Sequence, residues 1–94
     1  MNQLVLQAQV LEMAPIRYTP AGLPALDLML MHESQVEEAG SLRKVALELK
    51  AVAIGDMAKQ VQALGLGSQA FFKGFLSAQR QGRGTVFHIT RLKT

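Results

Sequence analysis

The chain has no cysteine and no tryptophan, and only one tyrosine and four phenylalanines among its 94 residues. Without cysteine there is no disulfide framework and no thiolate-ligated metal site. No stretch approaches the roughly 18 consecutive apolar residues of a membrane-spanning helix. The opening Met-Asn-Gln-Leu-Val-Leu-Gln has no basic segment ahead of a long apolar core, so no signal peptide is expected. These absences fit a cytoplasmic protein that does not associate with membranes. Acid is missing from one half of the molecule. All seven acidic residues lie at or before Asp56, whereas Lys59, Lys73, Arg80, Arg83, Arg91 and Lys93 follow it. Four bases against seven acids give the first 56 residues a charge of −3, and the remainder carries +6. Such asymmetry suggests an anionic partner for the C-terminal half, against the plainer reading of a solvated face.

What is present is a period of two. Leu4, Leu6, Ala8 and Val10 alternate with Gln3, Gln7 and Gln9, which predicts a first strand over Asn2–Glu12 with one buried face. Pro15, Pro20, Gly22 and Pro24 interrupt the alternation and leave Ile16, Arg17 and Tyr18 in a loop. A second strand follows over Ala25–His32, with Leu26, Leu28 and Leu30 on one face and Asp27, Met29 and Met31 on the other. Two largely apolar faces suggest cover on both sides, and a second subunit could supply one of them. Glu33–Gly40 is polar, acidic and ends in glycine, so a long hairpin loop is expected. The third strand spans Arg43–Val52, with Val45, Leu47, Leu49 and Ala51 inward and Lys44, Ala46, Glu48 and Lys50 outward.

Between Gly55 and Gly65 the period changes. Met57, Val61 and Leu64 share a helical face, Asp56 can cap the start and Gly65 can end the helix. Alternation then resumes from Gly67 to Ala78 and from Thr85 to Leu92. The connector Gln79–Gly84 has two glycines, two arginines and no apolar residue. Gly74, in mid-strand, marks a bend or bulge. Three strands, a short helix and two further strands in one domain of residues 1–94 predict an all-β, five-stranded Greek-key barrel. The oligonucleotide-binding (OB) fold places its helix at this point, between strands 3 and 4.

No catalytic constellation is visible. His32 and His88 are far apart in sequence and read as structural strand residues. Glu37 and Glu38 read as solvated loop residues, and Gly65-x-Gly67 and Gly82-x-Gly84 are too short to cradle phosphate. The chain is not expected to be an enzyme, nor to carry a cofactor or metal. A binder of single strands instead needs cations along a groove and faces on which bases can stack. In an OB barrel the loops between strands 1 and 2 and between strands 4 and 5 flank that groove. The first holds Arg17 and Tyr18, the second Arg80 and Arg83. Arg43 and Lys44 enter the third strand, whose outward face also carries Lys50. These seven are the candidate nucleic-acid-binding residues. Phe71 and Phe75 read as packing or interface residues, and Met29 and Met31 as core or subunit contact.

Four segments carry a resemblance. They are Asn2-Gln3-Leu4-Val5-Leu6, Pro20-Ala21-Gly22-Leu23-Pro24, His32–Gly40 and Gly67-Ser68-Gln69-Ala70-Phe71-Phe72-Lys73-Gly74-Phe75-Leu76. Together they resemble the primosomal replication protein N (PriB) family, relatives of the bacterial single-stranded DNA-binding proteins. The resemblance implies an OB-fold homodimer that binds single-stranded DNA and works in the replication-restart primosome. There it would stabilise the primosomal helicase on DNA. The alternative is a primosome adaptor that mainly contacts other proteins and binds DNA weakly. Where better-known members carry a base-stacking tryptophan on the third strand, this chain has Ala46. Where they carry an arginine after the second-strand histidine, it has Glu33.

Overall fold

A computed structural model describes residues 1–94. Its elements are β1 (Leu4–Met13), β2 (Arg17–Tyr18), β3 (Pro24–Glu38), β4 (Ser41–Ile54), α1 (Asp56–Leu64), β5 (Gln69–Ala78) and β6 (Thr85–Lys93). The sheet runs β1-β5-β6-β4-β3-β2, and β1 also pairs with β3, which closes five strands into a barrel. One strand of the ring can serve two neighbours because β1 changes partner along its length. Leu4–Gln9 pairs with β5, and Gln9–Met13 with β3 across a bulge after Val10. The final seam is the parallel pairing of Ala51, Val52 and Ala53 with Phe87, His88 and Ile89. This is the five-stranded OB barrel expected from the alternation, with the two-residue β2 added at its margin.

The core consists of the inward set of each strand. Ala8 and Val10, Leu26, Leu28 and Leu30, Ala51 and Ala53, Ala70 and Phe72, and Phe87 and Ile89 are buried together. Ala58 and Val61 of α1 cover one end of the barrel, with Met57 and Leu64 partly buried beside them. The helix opens on Gly55 without a side-chain cap, so Asp56 is its first helical residue and not its cap. A carboxylate there still lies favourably against the helix dipole. No helix is long and apolar enough to cross a membrane.

The largest departure from expectation is at Glu33–Gly40, which is not a loop. β3 and β4 stay paired at every position out to Glu38 and Ser41. They are joined by a two-residue turn in which Ala39 (φ 52°) and Gly40 (φ 80°) both take positive φ. Two consecutive positive φ angles match the right-handed strand twist and make a tight hairpin turn. The outer part of this hairpin projects as an arm beyond the barrel, giving extents of 49 × 28 × 22 Å. Leu47 and Val36 are therefore exposed, although their alternation places them in phase with the core. His32 stands at the root of the arm. The Gln7 carbonyl can only accept, so the His32 Nδ1–H donates to it at 2.6 Å. Nε2 then accepts from the Ser34 hydroxyl at 2.8 Å. His32 is thus structural, as its place in a strand suggested.

Ala39 bears the cost of the turn, because a Cβ in the left-handed region is unfavourable by about 1–2 kcal/mol. Asparagine tolerates that region better and is favoured before glycine in such turns. Ala39→Asn is expected to stabilise the protein by about 0.5–1 kcal/mol. Thermal melts should record a midpoint raised by about 2–8 °C, and an unchanged or lower midpoint would refute the assignment of strain to Ala39.

Candidate nucleic-acid interface

Outward residues of four adjacent strands fall into rows. Pairings of Asp27 with Val52, Val52 with His88, and His88 with Phe75 set one row across β3, β4, β6 and β5. A second row, one pleat along, carries Met29 opposite Lys50 and Val86 opposite Ser77. Above these rows lies a groove of about 850 Å³. Glu12 and Arg17 stand at one side, Gln79 and Arg80 of the β5–β6 loop at the other, and Met29, Lys50, Val52 and His88 form its floor. A smaller cavity of about 350 Å³ adjoins it and shares Val52, Ile54 and His88.

The groove brings together three of the seven candidate residues: Arg17, Lys50 and Arg80. Tyr18 is 71% exposed and sits next to Arg17 in β2, outside the lining. Arg83 belongs to the same loop as Arg80 but is off the groove wall. Arg43 and Lys44 are out on the hairpin arm, where Arg43 donates to the Glu38 carboxylate at 2.5 Å. Ala46 is also on the arm, exposed opposite Glu33. The position matching the family tryptophan is therefore away from this groove.

Arg17 is not a free cation. The chain turns back through Pro20–Pro24, and the pairing of Arg17 with Ala25 brings its guanidinium to the carboxylate two residues on. Nε donates to Asp27 Oδ2 at 2.6 Å and a terminal nitrogen donates to Oδ1 at 3.0 Å. This two-pronged fit holds the Asp27 carboxyl below its ordinary value of 3.8, first through the hydrogen bond and then by charge, with partial burial opposing it. The same contact raises Arg17 above its ordinary value. Because Asp27 is depressed, the pair's stabilisation is present above the unfolded carboxyl value and is lost as pH falls through the folded one. Both side chains are about half exposed, which limits the pair to about 1 kcal/mol or less.

Beyond the seven candidates, Met29 and His88 lie on the groove floor, and Phe75 lies beside His88 in the adjoining cavity. His88 and Phe75 are stacked, with ring centroids 4.7 Å apart and planes inclined by 8°, and Met29 lines the groove. Alternation already set Val86 and His88 opposite to the buried Phe87 and Ile89. Sequence alone could not show that β4 would lie beside them. No three His, Asp or Glu side chains come together in a way that could hold a metal ion.

A closed five-stranded barrel with its helix between the third and fourth barrel strands, and a groove between the two flanking loops, is an OB fold of the single-strand-binding type. Residues 2–91 match a family model described as another single-strand binding protein family. Over 81 residues the chain is 51% identical to replication restart protein PriB of Bordetella pertussis, covering 86% of this chain and 76% of that one. It is 47% identical over 86 residues to the PriB of Neisseria gonorrhoeae, with 90% and 84% covered. The solved PriB of Ralstonia solanacearum superposes with a TM-score of 0.90 at 34% identity, covering 99% of this chain and 96% of that one. The single-stranded DNA binding protein of Thermus aquaticus superposes at 0.74 with 25% identity, over 99% of this chain and 49% of that one. The chain belongs to the replication restart protein PriB family, within the wider single-strand-binding group.

Proposed function

We propose that this protein binds single-stranded DNA in its groove as an accessory factor of the replication-restart primosome, and stabilises the primosomal helicase on DNA. One observation carries the reading: Lys50 and Arg80 share a groove with the apolar floor of Met29 and Val52. Cations that follow phosphates beside a surface that receives bases are what a single-strand binder requires. Lys50 and Arg80 take the first phosphates, with Arg83 on the same loop and Tyr18 at the mouth reached next. Arg43 and Lys44 would meet DNA only if the strand ran outward along the arm.

Titration with a labelled oligothymidylate at several salt concentrations tests this. Each phosphate neutralised contributes about −0.7 to the slope of log affinity against log salt. Arg80→Ala is expected to flatten the slope by about 0.7 and weaken binding alike for all sequences. Unaltered affinity and slope would mean that the loop stays clear of the strand.

The second reading, an adaptor with weak DNA binding, is favoured by the Arg17–Asp27 pair, which withdraws one cation from the groove. If Arg80→Ala abolished helicase stimulation while leaving DNA affinity intact, the adaptor reading would replace the first. The proposal also includes a homodimer in the cytoplasm, motivated by apolar outward residues such as Val5 and Phe71, which are exposed in one chain. Sedimentation should give twice the 10.2 kDa of one chain, and a monomer at micromolar concentration would remove it.

A further inference from the structure

Resting on the groove reading, one base-binding position can be located within it. We propose that the slot above Val52 receives one nucleobase of the bound strand, stacked against the His88 ring, with Phe75 behind as the residue that positions it. His88 and Asp27 flank Val52 in the same row, one strand to either side. Strands lie about 4.8 Å apart, so the two walls are separated by about 9.6 Å at the backbone. A planar ring in contact on both faces needs about 7 Å, so one base fits and two do not.

Three further observations converge on this position. His88 is the sole aromatic side chain lining the groove, and it also lines the adjoining cavity, so both spaces meet at its ring. Phe75 lies parallel to His88 on the side away from Val52. A stack of this kind holds the imidazole upright and leaves its other face toward the slot. The backbone beneath is fixed as well, because Gly74 lies close against the His88 carbonyl. The opposite wall is the Arg17–Asp27 pair, whose guanidinium plane is itself a surface on which bases stack.

The test uses the full chain, His88→Leu and Phe75→Leu variants, and two probes of equal length. One probe is oligothymidylate and the other is an abasic tract with the same phosphates. His88→Leu is expected to lower affinity for oligothymidylate roughly five- to 150-fold, leaving its salt slope and its affinity for the abasic tract unchanged. Phe75→Leu should act in the same direction by a smaller factor. A 5-iodouracil placed in the strand should crosslink to His88 on irradiation. An equal loss on both probes would make His88 merely structural and overturn the proposal. So would no loss on either probe while Arg80→Ala still flattens the slope, which would leave the groove reading standing. Wild-type protein that binds neither probe would remove both.

Discussion

Gly74→Ala is expected to cost more stability than a methyl added at any other glycine of this protein. A Cβ at residue 74 would lie 1.7 Å from the His88 carbonyl oxygen and 2.8 Å from its carbon. Both atoms are backbone, so no side chain can swing aside. Relief requires β5 and β6 to separate where they are already offset by the bulge at Lys73 and Gly74. That movement would disturb Phe87 and Ile89, both buried in the core and next to the parallel seam with β4. A loss beyond about 4 kcal/mol follows, within the exceptional class of point substitutions. For a domain of this size the melting midpoint should fall by roughly 15–30 °C, and a domain holding only about 5–15 kcal/mol in total could unfold at physiological temperature. Gly82→Ala serves as the control. Gly82 has positive φ but open space around its Cα, so only the left-handed penalty of about 1–2 kcal/mol applies. Equal midpoints for the two variants would show that the strands yield at Gly74.

Asp27→Asn is expected to strengthen single-strand binding. It removes a negative charge from the groove wall and releases the guanidinium that Asp27 holds. A hydrogen bond from a charged group is worth about 1.5–3 kcal/mol, against up to about 1 kcal/mol for the exposed pair given up. The difference of about 0.5–2 kcal/mol corresponds to a roughly two- to thirty-fold gain in affinity. One more phosphate neutralised steepens the salt slope by about 0.7. Stability should fall by no more than about 1 kcal/mol, and the pH dependence contributed by Asp27 below the ordinary carboxylate range should vanish. A tighter complex without the steeper slope would point to the lost repulsion alone. Weaker binding would mean that the intact Arg17–Asp27 pair is worth more as the wall of the base slot than a freed guanidinium is worth on a phosphate.

The barrel was legible because each of its strands has a buried face, and burial on one face writes alternation into the sequence. Leu26, Leu28 and Leu30 against Asp27 and Met29 need no structure to interpret. The arm was not legible for the complementary reason. Glu33–Glu38 buries neither face, so nothing in its composition distinguishes a paired strand from a solvated loop. Backbone pairing and the turn at Ala39–Gly40 hold it together, and the register of β4 extends it. In the site, Lys50 and Arg80 could be recognised from charge and the expected loop positions. The Arg17–Asp27 pair could not, since it depends on a two-residue strand formed after a proline-rich turn. The setting of His88 depends on a parallel contact between distant segments, which no local pattern records.

The projecting hairpin has a thermodynamic consequence. The turn at Ala39 lies some seven residues beyond His32, about 23 Å along an extended strand. Substitutions more than about 7–10 Å apart, with no partner in common, combine with little interaction energy. Ala39 and Arg43 on the arm and Asp27 and Arg80 in the groove meet that condition, since Arg43 is bonded to Glu38 and Arg17 to Asp27. A variant altered at both ends should therefore carry the sum of the two single effects, leaving the arm and the groove free to change independently.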